Sequence, residues 1–208
     1  MRKGMGIFCI FLGLVCILIS VGFVIYNRME AQNGEVYSQT LLQNVQENMA
    51  EATQPETEHG EHTFGEIPPE TVPREMLTVP AGEYESVGVL SIPVLELELP
   101  VLTDWSYEKL RKAPCHYYGS CYEADFVIAA HNYASHFGRL SQLQAGDLVL
   151  FTDVTGQTHC YEVVLVETLS PTAIEEMIAS GFDLTLYTCT PGGGNRVTLR
   201  CRRVTETR

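Results

Sequence analysis

A run of twenty uncharged residues, Ile7 to Tyr26, lies near the start of the chain. As an α-helix it would extend about 30 Å, enough to cross the hydrocarbon core of a bilayer. Arg2 and Lys3 precede the run, so the positive-inside rule favours a cytoplasmic tail of residues 1–6. The sequence therefore predicts a single-pass membrane anchor over residues 7–26, with everything after it outside the cytoplasm.

A cleaved signal peptide is the main alternative to a retained anchor. Its apolar part is usually shorter and ends at small residues of the A-x-A type, whereas this run ends in Val24-Ile25-Tyr26-Asn27-Arg28. Lipoprotein processing at Cys16 is also disfavoured, because the bulky Val15 precedes it and the apolar run continues beyond it. We therefore favour the retained anchor.

The segment from residue 27 to residue 80 differs in composition from the rest of the chain. Its first part, 35–51, has the apolar spacing of a weak amphipathic helix. From Thr53 onward Glu, Thr and Pro dominate, which predicts an extended, mobile stalk. His59 and His62 lie there and are weak evidence for a metal site. The predicted divisions are a tail (1–6), an anchor (7–26), a stalk (27–80) and a folded domain (81–208).

The charge pattern argues against a nucleic-acid partner. Of the net charge of −13, most comes from residues 29–85, which hold twelve acidic residues and one basic residue. Nucleic-acid binding depends on Lys and Arg that neutralise phosphates. The basic cluster Arg200, Arg202 and Arg203 is too small to reverse this balance.

From Tyr84 onward, short runs of β-forming residues alternate with turn residues. The predicted strands are 87–92, 97–102, 126–130, 148–151, 160–168, 184–189 and 196–204. Only short helices fit between them, at 107–111, 138–143 and 172–179. Many closely spaced strands with few helices predict a mainly β fold, either a small barrel or a sandwich.

Seven cysteines are present, and two of them, Cys9 and Cys16, lie in the apolar run. The other five contain no C-x-x-C pair and no zinc-type spacing. A disulfide between Cys115 and Cys121 is one possibility, and free, partly buried thiols are the favoured one.

Cys189 ends a predicted strand and is followed by the turn formers Thr190-Pro191-Gly192-Gly193-Gly194-Asn195. If this strand pairs with the next as a hairpin, Cys189 and Arg196 face each other, with Cβ atoms about 5 Å apart. A thiolate can attack a carbonyl, and a fixed cation can stabilise the oxyanion that develops. Arg200 lies on the same strand face, but we favour Arg196 because it is nearest the hairpin mouth.

A cysteine nucleophile also needs an acid that protonates the leaving amine. His131 follows the predicted strand 126–130 and precedes Asn132, so it stands where a buried strand emerges. His136 is the local competitor. Either histidine taken alone is more often structural than catalytic.

These motifs together resemble the sortase family. Thr185-Leu186-Tyr187-Thr188-Cys189 is similar to the TLxTC signature, and Arg196 stands in the place of the essential arginine. The segment 127–132 is similar to the family's IAGH segment, and Phe137, Leu140, Leu143, Gly146 and Asp147 match the run that follows it. Residues 88–93 and 99–101 resemble the opening strands. The resemblance spans roughly residues 84–204.

The resemblance implies a closed eight-stranded β-barrel that cleaves an LPxTG-like sorting signal between Thr and Gly. Cys189 would form a thioacyl intermediate, which an amine of a cell-wall precursor or a pilin lysine would resolve. His131 would act as acid and base, Arg196 would hold the substrate or oxyanion, and Thr188 would line the groove. No cofactor or metal is implied.

The chain also departs from the family pattern. Ala130 replaces the usual glycine before the histidine, and the spacing from Cys189 to Arg196 is short, which keeps Arg200 as a second candidate. The stalk lacks the Asp-Pro-aromatic lid motif of pilin-polymerising sortases, so a lidded polymerase is disfavoured. Calcium binding, as in some sortases, is an alternative to a solvated acidic face for Glu167, Glu175, Glu176 and Asp183.

Two other functions remain open from the sequence. A cysteine hydrolase would use the same three residues with water as the acceptor, and a non-enzymatic surface scaffold on a stalk would not use the thiol. Trp105 and Tyr107 are interpreted as packing a short helix, and Tyr117, Tyr118 and Tyr122 as residues of a loop near the site.

Overall fold

The computed structural model describes residues 2–52 and 75–204. The Pro-rich part of the predicted stalk, with His59 and His62, therefore lies outside the described residues. The helices are α1 (Arg2–Ala52), α2 (Tyr107–Leu110) and α3 (Ile174–Ile178), with short 3-10 turns at Pro93–Leu95 and Leu140–Gln142. The strands are β1 (Val79–Ala81), β2 (Tyr84–Ile92), β3 (Leu97–Leu102), β4 (Cys115–Tyr118), β5 (Phe126–Ala129), β6 (Leu148–Asp153), β7 (Thr158–Leu169), β8 (Leu184–Cys189) and β9 (Arg196–Arg203).

Eight of the strands close into a barrel. The order around it is β2-β3-β4-β5-β8-β9-β7-β6, and β6 pairs with β2 to complete the ring. The β3–β4 and β5–β8 pairs are parallel and the others are antiparallel. The short β1 adds to β2 outside the ring. The predicted mainly β, closed eight-stranded sortase-type barrel with short helices is therefore confirmed.

The alternation of side chains along β8 decides which residues face the barrel core. Leu184 and Leu186 point inward and are fully buried. Tyr187 points to the outer face, where it packs with α3 through Met177 and its neighbours. Cys189 has the same parity as Tyr187, so its thiol lies on the outer face beside α3 rather than in the core.

Helix α1 is longer than the predicted anchor. It continues without a break from the apolar run into the first part of the predicted stalk. The apolar run is exposed on the surface, and α1 is long and apolar enough there to cross a membrane. The structure thus contains one helix that could serve as the predicted anchor.

The second half of α1 packs against the barrel. Leu41, Leu42 and Val45 are buried together with residues of β1, β2, β3 and β4. The Asn48 side chain also donates a hydrogen bond of 2.7 Å to the Pro80 carbonyl. The partner of this half of the helix, one face of the barrel, lies far along the chain and could not be identified from the sequence.

Candidate active site

The β8–β9 hairpin places Cys189 directly opposite Arg196 in the strand register. Its loop is closed by a hydrogen bond from the Thr190 amide to the Asn195 carbonyl at 2.9 Å. Gly192 and Gly193 have φ angles of 83° and 76°, a left-handed conformation that favours glycine. The turn-forming sequence therefore makes the tight loop that brings the thiol and the guanidinium together.

Arg196 is folded back over this loop. Its Nη1 donates to the carbonyls of Gly193 and Asn195, both at 3.2 Å. These bonds restrict the guanidinium, so it is held near the hairpin mouth instead of extending freely into solvent. A fixed cation of this kind can meet a developing oxyanion without a large reorganisation cost.

His131 reaches the same edge of the barrel through a different strand. It follows β5, which runs parallel to β8 with Ala129 opposite Tyr187. The ends of two adjacent parallel strands meet at one edge of a sheet, so His131 and Cys189 emerge side by side. The buried Thr188 hydroxyl donates to the Ala130 carbonyl at 2.8 Å and ties the two strand ends together.

Cys189, His131 and Arg196 line one pocket of about 180 Å³. All three side chains are half-buried, so each is both held in place and accessible. The structure therefore brings together the three residues that the sequence selected. The fourth selected residue, Thr188, is buried between the strands and does not contribute to the lining.

Aromatic side chains form one wall of this pocket. Tyr117 packs edge-to-face against Tyr187 at 5.4 Å between ring centroids, and Trp105 lies 5.7 Å from Tyr117. Ile174 and Met177 of α3 also line the pocket. The sequence placed Tyr117 near the site, but it gave Trp105 and Tyr107 only a packing role, whereas both line the pocket.

The surroundings of His131 disfavour its charged form. Burial lowers its pKa, the positive charge of Arg111 lowers it further, and the negative charge of Glu30 opposes them. Arg111 Nε lies 3.5 Å from Glu30 Oε1, and the His131 ring stacks on Tyr133 at 4.9 Å between centroids. Because Glu30 belongs to α1, this helix contributes to the electrostatics of the pocket.

Removal of the Arg111 charge and removal of the Glu30 charge are expected to move the pKa of His131 in opposite directions. Arg111→Gln removes a positive charge that disfavours the imidazolium, so the pKa should rise. Glu30→Gln removes a negative charge that favours it, so the pKa should fall. An NMR titration of the histidine ring protons in the full chain measures both shifts. The matched control is Arg202→Gln, at the far end of β9, which should leave His131 unchanged; equal pKa values in all variants would contradict the assignment.

His136 is a different kind of histidine. It is fully buried, and burial first, then the charge of His131, lowers its pKa to about 4. It therefore stays neutral at physiological pH and does not line the pocket. Geometry thus favours His131 over His136 as the acid and base.

Arg200 is buried and serves the fold. It is 2% exposed, and its Nε donates to Glu167 Oε1 at 2.8 Å. Its two Nη atoms donate to the Thr185 hydroxyl at 3.0 Å and the Glu176 carbonyl at 2.7 Å. Arg200 therefore fastens β9 to β8, β7 and α3 and lies outside the pocket lining.

Two of the four carboxylates considered for calcium have partners within the protein. Glu167 pairs with Arg200, as described above, and Asp183 Oδ2 accepts the Arg203 amide at 2.8 Å. Each of these two groups therefore helps to hold strands together.

A buried cluster of Cys121, Asp153 and His159 was not identified from the sequence. Their potential ligand atoms all lie within 4.8 Å of one another, and it is the one such group found among residues 2–52 and 75–204. Asp153 and His159 are close in sequence and lie on the β6–β7 hairpin, whereas Cys121 precedes β5. The tertiary fold brings Cys121 to the other two residues.

Hydrogen bonds account for much of this cluster. His159 Nε2 lies 3.3 Å from Asp153 Oδ2, and Arg203 Nη1 lies 3.2 Å from His159 Nδ1. Burial acts to raise the pKa of Asp153, but hydrogen bonds from Thr155 and Tyr122 outweigh it and hold that pKa below its usual value. With both ring nitrogens paired and an arginine in contact, the cluster fits a buried polar network better than a metal site. Cys121 and Cys115 are not joined to each other, so the alternative disulfide between them is not formed.

Comparison with known proteins agrees with the geometry. The model of the Sortase domain matches residues 90–204. Sortase A from Corynebacterium diphtheriae is similar at 26% identity and a TM-score of 0.54, over 59% of this chain and 62% of that one. Sortase C1 from Streptococcus suis is similar at 30% identity and a TM-score of 0.52, over 59% of this chain and 74% of that one. Sortase C from Streptococcus pneumoniae is similar at 28% identity and a TM-score of 0.51, over 59% of this chain and 70% of that one.

The match with the Corynebacterium diphtheriae protein spans less than two thirds of that protein's length. A comparison with curated protein sequences found no match. The domain match nevertheless covers more than half of the chain, including every strand from β3 to β9. Motifs, barrel topology and domain match agree, and the chain belongs to the sortase family.

Proposed function

We propose that this chain is a cysteine transpeptidase that cleaves an LPxTG-like sorting signal and transfers the acyl fragment to an amine. The observation that carries the proposal is the meeting of Cys189, His131 and Arg196 in one pocket. A nucleophile, a proton carrier and an oxyanion partner are what acyl transfer through a thioester requires.

In the first step, neutral His131 takes the proton of the Cys189 thiol as the sulfur attacks the carbonyl carbon of the scissile Thr–Gly bond. Arg196 stabilises the oxyanion, and His131 then donates this proton to the glycine nitrogen as the C–N bond breaks. In the second step, an acceptor amine loses a proton to His131 and attacks the thioester. The C–S bond then breaks, and His131 returns the proton to the sulfur.

Other residues support this reaction without touching the reacting atoms. We propose that Thr188 acts through its bond to Ala130, which fixes the position of Cys189 relative to His131. Apolar contacts for the side chains of the signal are available from the rings of Trp105, Tyr117 and Tyr187 and from the residues of α3 that line the pocket. This divides the pocket into a reacting end and a recognition end.

The acceptor is proposed to be an amine of a cell-wall precursor or a pilin lysine. The similar sortase C from Streptococcus pneumoniae is described in terms of catalysis and pilin substrate specificity, which supports a pilin as one candidate partner. The anchor is proposed to cross the membrane once at residues 7–26, with the barrel outside the cytoplasm. The alternatives are a hydrolase that uses water as the acceptor and a scaffold that uses no thiol, and the following test distinguishes them from a transpeptidase.

The test uses the full chain in detergent micelles with a quenched LPxTG peptide, with and without an amine acceptor. We expect a thioacyl adduct on Cys189 by mass spectrometry and a product that carries the amine. A product without the amine under saturating acceptor would indicate a hydrolase. An absence of adduct and of cleavage with a panel of sorting peptides would favour the scaffold.

A further inference from the structure

Helix α1 approaches the barrel closely at Gly34, and this contact fixes the position of the helix. A Cβ atom on Gly34 would lie 2.9 Å from the Arg111 carbonyl oxygen and 3.1 Å from a ring carbon of Tyr133. A side chain at residue 34 would have to displace these neighbours, so glycine allows α1 to approach the barrel more closely than any other residue would. One turn earlier, Glu30 pairs with Arg111. The helix is therefore held against the barrel directly after the apolar run.

This contact sets the height of the barrel above the proposed anchor. An α-helix rises about 1.5 Å per residue, so Glu30 lies only about 6 Å and Gly34 about 12 Å beyond Tyr26. The headgroup layer of one leaflet is about 6 Å thick. A groove between α1 and the barrel is lined by Tyr26 and Met29 of α1 and by Glu108, Arg111 and Lys112, which lie in and just after α2. The barrel thus reaches down to the level where the apolar run ends.

Residues 105–112, which include α2, have the composition of a membrane interface. Tyr107 is 75% exposed and Trp105 is 43% exposed. The charge of the segment contributes little, because Lys109 pairs with Asp104, Arg111 pairs with Glu30, and Lys112 Nζ lies 3.4 Å from the centre of the Tyr37 ring. Trp and Tyr are enriched at bilayer interfaces, so the two exposed rings indicate a contact with the headgroups.

We propose that residues 105–112 form a membrane-interface surface that rests on the headgroups of the phospholipid bilayer that holds the proposed anchor. Because Trp105 and Tyr107 also line the active-site pocket, the pocket then opens beside the membrane surface. A substrate attached to the same membrane needs only a short spacer to reach Cys189. This inference rests on the proposed anchor and places the proposed reaction at the bilayer surface.

Trp105 provides the test, since it is the one tryptophan in the sequence. The full chain is reconstituted into phosphatidylcholine vesicles. Some lipids carry bromine near the glycerol end of their acyl chains, and others carry it near the methyl end. We expect about twofold quenching of Trp105 by the shallow bromine and much less by the deep one. Added salt should leave the quenching unchanged, because the basic side chains of the segment are paired within the protein.

The matched control moves the tryptophan along α1. In the Trp105→Phe background, Glu47→Trp places the probe at an exposed position about 30 Å beyond Tyr26, where no quenching is expected. Gly34→Leu should push the barrel off α1 and reduce the quenching of Trp105. Equal quenching at residues 105 and 47 would overturn the proposal.

Flotation of the same vesicles separates this proposal from the one it rests on. If the chain floats with the vesicles but Trp105 is not quenched, the anchor stands and the interface surface is wrong. If the chain does not float, the anchor is wrong and this inference falls with it. Sorting-peptide cleavage in micelles needs no bilayer, so failure of the proposed reaction would be visible independently.

Discussion

Cys189→Ala is expected to lower the rate of sorting-peptide cleavage by at least about 10³-fold, with no loss of fold. The thiol forms the covalent bond to the substrate, and neither His131 nor Arg196 can replace it as a nucleophile. Its side chain is half-buried on the outer face of β8, away from the core, so alanine leaves no large cavity. The measurement is kcat/KM with a quenched LPxTG peptide, together with circular dichroism.

Cys160→Ala is the matched control for this experiment. Cys160 is also a free, half-buried thiol on a strand, but it lies on β7 and does not line the pocket. Its replacement should leave turnover within about twofold of the parent. An iodoacetamide-type reagent should label Cys189 faster than Cys160, and substrate should protect Cys189. If Cys189→Ala retained cleavage, or if both variants lost it equally, the nucleophile would be wrongly assigned.

The parts of the site that could be predicted are those encoded by neighbouring residues. Cys189 and Arg196 are linked by a six-residue turn, so hairpin pairing alone places them opposite each other. His131 needed one further step, the assumption that strand ends gather at one edge, and the sortase resemblance supplied it. The parallel pairing of β5 with β8 supports that assumption.

The parts that could not be predicted depend on polar contacts between distant segments. Glu30 looked like one acidic residue among many in the stalk, and nothing local connects it with Arg111 or Tyr133. Arg200 and Glu167 are likewise far apart in sequence but 2.8 Å apart in the fold. A hydrophobic pattern predicts which face of a strand or helix is buried, but it does not name the partner of a charged group.

Arg196 and Arg200 should give opposite phenotypes, although they lie on the same face of β9. Arg196→Ala is expected to lower kcat/KM by about 10²-fold or more, because it removes the proposed oxyanion partner. Its side chain is half-exposed and bonds only to its own loop in the contacts described above, so the free energy of unfolding should change by about 0.5 kcal/mol or less. Arg196→Lys keeps the charge but loses the planar fork, so it should recover part of the activity.

Arg200→Met should instead reduce the free energy of unfolding by about 3 kcal/mol. The change leaves the Thr185 hydroxyl and the Glu176 carbonyl without their buried donor and removes the partner of Glu167. At a temperature where the variant is still folded, its kcat/KM should remain within a few-fold of the parent, because Arg200 does not line the pocket. Denaturant unfolding and peptide cleavage on the same samples measure both quantities. If the Arg200→Met protein were stable but inactive and the Arg196→Ala protein were active, Arg200 and not Arg196 would be the oxyanion partner, and the proposed role of Arg196 would be wrong.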